Sequence, residues 1–245
     1  MKKNKLIKKY SFDSKKIIDF KNIVKKEVLR MNKKFDGNLS NIHKYIKKDQ
    51  INALRLKSFK QINSVNWMKI IEKIALERLK ENLGPDLLIQ SKINLSIQIP
   101  NDDNSLLPAH SDSWSSDTPY QINLWLPLTD SFASNSMFIF DKTYSIKIFK
   151  QIIKKSELKI KKPKIYDFIK IKEGEFLLFN PACLHGNVIN KTKKTRVSLN
   201  VRFKSIFSPE SKKISDRKFG TYYKKFKISE NTEFGTEVLD IGLLK

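Results

Sequence analysis

The chain has 245 residues, of which 40% are hydrophobic and 11% aromatic, so it can bury a sizeable core and is not a wholly disordered protein. Its single cysteine excludes an internal disulfide framework and a cysteine-rich zinc site, and agrees with a reducing, cytoplasmic location. The formal net charge is +24, but only six of the 49 basic residues are arginine, which indicates biased composition rather than a specific nucleic-acid surface.

The first 90 residues are predicted to be helical. Residues 14–34 carry an apolar stripe at helical spacing that ends near Asp36-Gly37. Ser64 is the predicted N-cap of a second helix, which runs through Leu83 and stops at Gly84-Pro85. The basic N-terminus is followed by no apolar stretch typical of a signal peptide, and no apolar run approaches the ~20 residues of a membrane span. We therefore expect no membrane span.

Strands are predicted from Ser91 onward. Apolar and polar residues alternate through 93–99, and further strands are expected at 121–128, 137–140, 175–179, 184–189 and 195–203. A basic amphipathic helix at 144–155 interrupts them. Several short strands separated by turn residues predict a small barrel or jelly roll.

The resulting fold class is mainly β with α. We predict an N-terminal helical layer over residues 1–90, a β core over residues 91–205, and a C-terminal tail over residues 206–245. The tail is basic at first and acidic later, so it suits a lid, a strap over the helical layer or a contact in a homo-oligomer.

His110, Asp112 and His185 are candidate metal ligands. In extended backbone residues two apart point to the same side, so His110 and Asp112 can meet one ion. Neither Lys nor Arg occurs at 93–141 or at 173–190, the two stretches that hold these residues. A cation site repels ammonium groups, although core strands exclude lysine as well. Two histidines and one carboxylate leave metal positions open for other ligands.

Arg196 and Ser198 point the same way on a predicted strand whose other face is apolar. Burying an arginine inside the fold costs desolvation free energy unless an anion pairs with it, and the planar guanidinium can bind a carboxylate through two parallel hydrogen bonds. The alternative is an edge strand with Arg196 in solvent.

These residues lie in four segments: Ala109–Trp114, Gly174–Phe179, Cys183–Asn187 and Thr195–Ser198. Together they resemble the iron(II)/2-oxoglutarate-dependent oxygenase superfamily, and within it the phytanoyl-CoA dioxygenase-like branch, which includes oxygenases of bacterial surface-carbohydrate gene clusters. The resemblance covers roughly residues 91–205. It implies a double-stranded β-helix (jelly roll) that uses iron(II), 2-oxoglutarate and O2, and releases succinate and CO2.

The resemblance also implies roles for individual residues. His110, Asp112 and His185 would ligate iron, while Arg196 and Ser198 would bind the distal carboxylate of 2-oxoglutarate. Further expected site residues are Asn123 and Trp125 at the cavity wall or cosubstrate, and Trp114, Arg202 and Gln98 at the substrate. Open alternatives are a strand-end hydrogen bond for Asn123, core packing for Trp125, a cap on the barrel mouth for Trp114, and an ion pair with an acidic residue for Arg202.

The expected reaction is hydroxylation of a small molecule, such as a sugar, nucleotide-sugar or lipid intermediate of surface-carbohydrate biosynthesis. Desaturation and epimerisation begin with the same hydrogen abstraction and stay open. One alternative is a non-oxidative, cupin-like sugar isomerase or epimerase, which needs the metal ligands but no dicarboxylate anchor. Another is a lysine-rich polyanion-binding protein.

Overall fold

A computed structural model describes residues 6–115, 117–155, 157–209 and 217–241. The α-helices are α1 (Ile18–Met31), α2 (Ile51–Ser64), α3 (Trp67–Leu83), α4 (Lys142–Ile153) and α5 (Glu230–Asp240). The strands are β1 (Ile7–Ser11), β2 (Leu87–Gln90), β3 (Asn94–Gln98), β4 (Ile122–Pro127), β5 (Phe138–Ile139), β6 (Glu175–Phe179), β7 (His185–Gly186), β8 (Arg196–Ser205) and β9 (Tyr223–Lys227).

The strands form one large and one small antiparallel sheet. The large sheet has the order β1-β6-β4-β8-β2-β9, and β3 also pairs with β8. The ten-residue β8 makes this branching possible, because β3 pairs with its first half and β2 with its last three residues, while β4 lies along its other side. The small sheet is β5-β7, and a bridge from His110 to His185 extends it.

Alternation along β8 gives the large sheet two chemically different faces. Val197, Leu199 and Val201 are fully buried and belong to the main core, which also contains apolar residues of α1, α2 and α3. A second apolar cluster joins Trp125 of the large sheet to Met137 beside β5. The helices therefore cover one face of the large sheet, and the other face meets the small sheet.

The predicted strands from Ser91 onward are present, whereas the first 90 residues differ from the expected helical layer. They also contribute β1 and β2, which pair with β6 and β8. β2 is a run of four buried residues, and β1 is a lysine-containing edge strand. Neither is long enough for period-two alternation to stand out in the sequence.

The predicted cap at Ser64 is wrong. Ser64 is the last residue of α2, a helix that the sequence did not separate from its neighbours. The side chain of Asn66 instead accepts the amide of Lys69 and caps α3, which ends at Leu83 before Gly84 as predicted.

Part of the C-terminal tail is an edge of the large sheet, because β9 pairs with β2. The carboxylate of Asp86 holds the start of α5 by accepting the amide of Ser229 at 2.6 Å and the hydroxyl of Thr232 at 2.9 Å. Among the helices described, none has the length and hydropathy needed to cross a membrane.

Candidate active site

Two backbone segments carry the candidate ligands, and hydrogen bonds between them set their spacing. The amides of His110 and His185 each donate to the other residue's carbonyl at 2.9 Å. Asp112 begins a short 3-10 turn, and its amide donates to Pro181 at 3.1 Å. Its Oδ1 lies 3.5 Å from Nε2 of His110 and 3.8 Å from Nε2 of His185. The three ligand atoms all lie within 4.8 Å of one another.

Both imidazoles are oriented by backbone carbonyls. Nδ1 of His110 lies 2.8 Å from the carbonyl oxygen of Pro108, and Nδ1 of His185 lies 2.9 Å from that of Cys183. A carbonyl only accepts, so each Nδ1 carries a proton, and in the neutral form of each imidazole Nε2 presents a lone pair toward Asp112. Two lone pairs and a carboxylate oxygen repel one another unless a proton or a cation lies between them, and this donor set suits a divalent metal ion.

The second oxygen of Asp112 is held from the opposite side. Asn123 donates its amide to Oδ2 at 2.6 Å, and the Arg202 guanidinium lies 3.2 Å from the same atom. Arg202 also lies 3.1 Å from Asp117, which pairs in turn with Arg217 of the C-terminal tail. Oδ1 alone is therefore directed at the two histidines.

Electrostatics favours a neutral His185 and an ionised Asp112. Complete burial lowers the pKa of His185 to about 4, against the opposing attraction of Asp112. Burial alone would raise the pKa of Asp112, but the hydrogen bond with His110 and the charge of Arg202 outweigh it and hold that pKa well below its usual range. Burial likewise opposes protonation of His110, yet its bonds to Asp112 and Pro108 raise its pKa.

A cavity of about 850 Å³ adjoins the three candidate ligands. The polar face of β8 lines it with Arg196, Ser198, Asn200 and Arg202, which alternate with the core residues of that strand. Trp125 also lines it, with the Arg196 guanidinium 5.9 Å from the indole centroid.

Arg196 is a buried cation that faces this cavity with one polar partner. It is 4% exposed and donates to the hydroxyl of Ser96 at 2.9 Å. Within the described residues its Nε and the hydroxyl of Ser198 have no hydrogen-bond partner. Burial lowers the pKa of Arg196 to about 10, so the guanidinium stays charged at neutral pH. Buried groups of this kind are suited to an anionic ligand.

The remaining residues singled out in the sequence take several positions. Asn123 bonds Asp112, and Arg202 forms the ion pairs that were its alternative role. Gln98 is fully buried and donates to the Val188 carbonyl at 2.7 Å. Trp114 packs edge-on against Phe149 of α4. Along the described chain, neither Gln98 nor Trp114 lines the cavity.

Sequence reasoning missed the part of the cavity contributed by the N-terminal region. Lys48 lines it from a short 3-10 turn before α2, and Arg55 lines it from within α2. Lys48 pairs with Asp103 at 2.6 Å, and Nε and one terminal nitrogen of Arg55 donate to Oδ1 of Asn52 in the same helix. Ser96 was also missed, although Ser96 is a polar residue opposite Ser198 across the β3–β8 pair.

No family model matches the sequence, and no curated protein matches it. Solved structures do match. ThoJ, a non-heme monooxygenase determined as a nickel complex, is similar over 91% of this chain and 79% of its own, with a TM-score of 0.56 and 14% identity. EctD from S. alaskensis, determined with 2-oxoglutarate and 5-hydroxyectoine, is similar over 85% and 75% of the two chains, with a TM-score of 0.55 and 11% identity.

HygX from Streptomyces hygroscopicus, determined with iron bound, matches 94% of this chain and 95% of its own, with a TM-score of 0.51 and 13% identity. At these identities the likeness is one of fold. This likeness agrees with the fold that the resemblance to the iron(II)/2-oxoglutarate-dependent oxygenase superfamily implied, while the superfamily's chemistry and its phytanoyl-CoA dioxygenase-like branch stay predictions.

Proposed function

We propose that this protein is an iron(II)/2-oxoglutarate-dependent oxygenase built on a double-stranded β-helix. The main supporting observation is that the three candidate metal ligands and a buried arginine lie at one cavity. Three ligand atoms lie within 4.8 Å of one another, and a buried arginine faces the same space with a nitrogen that has no hydrogen-bond partner among the described residues. A metal site alone fits many enzymes, but a metal site with a buried guanidinium fits a metal-bound dicarboxylate.

His110, Asp112 and His185 would hold the iron. Their fit rests on the protonated Nδ1 atoms, which leave both Nε2 lone pairs free, and on Asp112 offering Oδ1 alone. Bound iron would supply O2 activation coupled to decarboxylation of 2-oxoglutarate, which oxidises a substrate C–H bond.

Arg196 and Ser198 would bind the distal carboxylate of 2-oxoglutarate. Nε of Arg196 and the hydroxyl of Ser198, neither of which has a hydrogen-bond partner in the part of the chain that is described, give two donors on the same face of β8. The hydroxyl of Ser96 accepts a hydrogen bond from the Arg196 guanidinium, so the guanidinium is pre-positioned and loses little freedom on binding.

The rest of the cavity would bind a small-molecule substrate. Its volume of about 850 Å³ exceeds what 2-oxoglutarate alone requires, and its walls combine polar β8 side chains with Trp125 and Met137. A sugar, nucleotide-sugar or lipid intermediate of surface-carbohydrate biosynthesis stays the predicted substrate, with hydroxylation as the predicted outcome.

Anaerobic titration tests this proposal. Iron(II) followed by 2-oxoglutarate should produce the metal-to-ligand absorption band of a chelated 2-oxoacid. Asp112→Ala should abolish iron binding. Arg196→Lys should keep iron binding but weaken 2-oxoglutarate binding at least about tenfold, because an ammonium cannot make the bidentate contact that a guanidinium makes with a carboxylate. The exposed Asp103 supplies the control variant Asp103→Ala, which should match the unaltered protein.

Two results would contradict the proposal. Retention of the absorption band in Asp112→Ala would refute the ligand assignment. Iron binding without any 2-oxoglutarate band or succinate release would favour the non-oxidative isomerase or epimerase, because that chemistry needs no dicarboxylate anchor.

A further inference from the structure

The segment inserted between β5 and β6 is strongly basic. We call α4 with Lys154, Lys155 and residues 157–166 the basic insertion. Between residues 142 and 166 the sequence has nine lysines, one acidic residue and no arginine. All nine lysines are exposed. Their density is higher than in the chain as a whole, so general lysine enrichment does not account for it.

Large apolar side chains are exposed among these lysines. Ile153 is 80% exposed, Ile165 is 74% exposed and Tyr166 is 65% exposed. Ile146 lies two helical turns before Ile153 on the same side of α4, and it is also exposed. Large apolar side chains exposed within one strongly basic segment are unusual on a soluble surface and are typical of an interaction surface.

Contacts within the basic insertion join its helix to its loop. The amide of Lys161 donates to the Tyr144 hydroxyl at 2.7 Å. The Lys161 ammonium lies 4.5 Å from the ring centroid of Tyr144 and 4.8 Å from that of Phe140. The loop therefore folds back against the first turn of α4 at Lys161, so the helix and the loop of the basic insertion contact each other.

The opposite side of α4 is fixed to the wall of the candidate active site. Ile148 is buried in a cluster with Leu184, and the hydroxyl of Ser145 accepts the Leu184 amide at 2.9 Å. Leu184 directly precedes His185. The outward side of α4 therefore has no role in holding the core together.

We propose that the basic insertion docks on an anionic lipid membrane surface. Lysines at such a surface are attracted by negatively charged headgroups, and isoleucines between them insert into the boundary between headgroups and acyl chains. The docking is peripheral, through one amphipathic face, and does not depend on the proposed oxygenase activity.

Two other partners fit this surface less well. A second copy would bring two strongly positive surfaces together, and their repulsion opposes a symmetric contact. Nucleic acid would contact the lysines but leave the exposed isoleucines without a role. The segment also has no arginine, the residue that makes bidentate hydrogen bonds to phosphates and bases.

Vesicle co-sedimentation of the metal-free full chain tests the proposal. Vesicles of phosphatidylcholine with a third of phosphatidylglycerol should bind the protein at least about tenfold more tightly than pure phosphatidylcholine vesicles. The charge variant Lys150→Glu/Lys154→Glu/Lys155→Glu should lose this binding. Its matched control, Lys26→Glu/Lys33→Glu/Lys34→Glu, alters three exposed lysines of the α1 region and lowers the net charge equally, yet it should bind as before.

A second pair of variants tests the apolar contribution. Ile153→Ser should weaken vesicle binding several-fold, whereas Leu56→Ser, at an exposed position of α2, should leave it unchanged. Equal losses in both charge variants would show that only total charge matters and would overturn the proposal. Normal vesicle binding by Ile153→Ser, together with binding of duplex DNA as tight as binding of vesicles, would also overturn it. So would a dimer formed through the basic insertion.

Discussion

The two oxygens of Asp112 have different surroundings, and this difference organises the candidate metal centre. Oδ1 is directed at His110 and His185, whereas Oδ2 is held by Asn123 and Arg202. A carboxylate with one oxygen already bonded is disposed to bind a metal through the other. Under the proposed function, Asn123 and Arg202 would be positioning residues, since they contact Asp112 and would act on a bound metal only through it.

Replacing Arg202 should weaken metal binding without removing a ligand. Arg202→Gln deletes the charge that faces Oδ2, so we expect metal affinity to fall by about 10–100-fold, the usual effect of losing a partner of a ligand. Calorimetric titration with Ni(II) measures this independently of turnover. Arg217→Gln, which changes the more distant end of the Asp117 network, should have a smaller effect. Equal affinities for Arg202→Gln and the unaltered protein would contradict the positioning role.

The depressed pKa of His185 predicts a pH dependence of the metal-free protein. In the unfolded chain this histidine binds a proton below about pH 6.5, whereas in the folded chain it does so only below about 4. Between these values the unfolded state holds more protons, so stability falls as the pH falls. The raised pKa of His110 acts with the opposite sign, but above pH 6.5, so the two windows are separate.

Urea unfolding at pH 6 and pH 5, below the window of His110, measures this effect. The unaltered metal-free protein should lose roughly 1 kcal/mol of unfolding free energy over that interval through His185. His185→Asn removes the titrating group, so its loss should be smaller by that amount. The same loss in both proteins would show that His185 is not held neutral in the fold.

At the residue scale, the candidate site residues that could be named from their spacing in the sequence are those whose two-residue spacing puts their side chains on the same side of an extended backbone. His110 and Asp112 are two apart, and Arg196 and Ser198 share a face of one strand. The partners of these residues could not be predicted, because Ser96 meets Arg196 only through the register of β3 on β8. Gln98 was predicted at the substrate, but its side-chain amide donates to the Val188 carbonyl.

At the element scale, the two-residue strand β7 holds its place because Gly186 has no side chain. A Cβ on Gly186 would lie 2.6 Å from the carbonyl oxygen of Leu107 and 2.9 Å from both the Phe138 ring and the Pro108 oxygen. Two of these neighbours are backbone atoms that cannot rotate away. The segment leading to His110 therefore packs directly on the residue that follows His185.

Gly186→Ala should displace that segment and impair the metal centre. We expect a loss of about 1–3 kcal/mol in unfolding free energy, as for other overpacked sites, together with weaker metal binding. Gly235→Ala in α5 is the matched control, because a Cβ there meets nothing within 4 Å and alanine favours a helix. Thermal unfolding and Ni(II) titration of both variants check this. Normal metal affinity in Gly186→Ala would show that the close approach is unimportant.

Helices and strands could be predicted where a regular apolar pattern extends over enough residues to be recognised. The 17-residue α3 and the strand β6 lie where the apolar pattern placed them. The short strands β1 and β2 were not predicted, since they pair with β6 and β8, far away in the chain. Their positions depend on tertiary partners that a local pattern does not reveal.

On the scale of the whole molecule, the net charge of +24 opposes folding through self-repulsion. The charge is distributed unevenly, because the stretches at 93–141 and 173–190, which hold the candidate ligands, have no lysine or arginine. The repulsion therefore acts mainly among the helical layer, the basic insertion and the edge strands β1 and β9, whose sequences also contain lysines.

Salt should consequently stabilise this protein. Raising NaCl from about 0.05 to 0.5 M shortens the screening length from over 10 Å to a few ångströms and weakens repulsion among exposed lysines more than the buried pairs at Asp112. The unfolding midpoint should rise, by about 2–4 °C for each kcal/mol gained. Lys26→Glu/Lys33→Glu/Lys34→Glu starts with less repulsion, so its midpoint should rise less. A midpoint that fell with salt would show that exposed ion pairs outweigh the repulsion. If sulfate raised the midpoint far more than chloride at equal ionic strength, a specific anion site would be indicated instead.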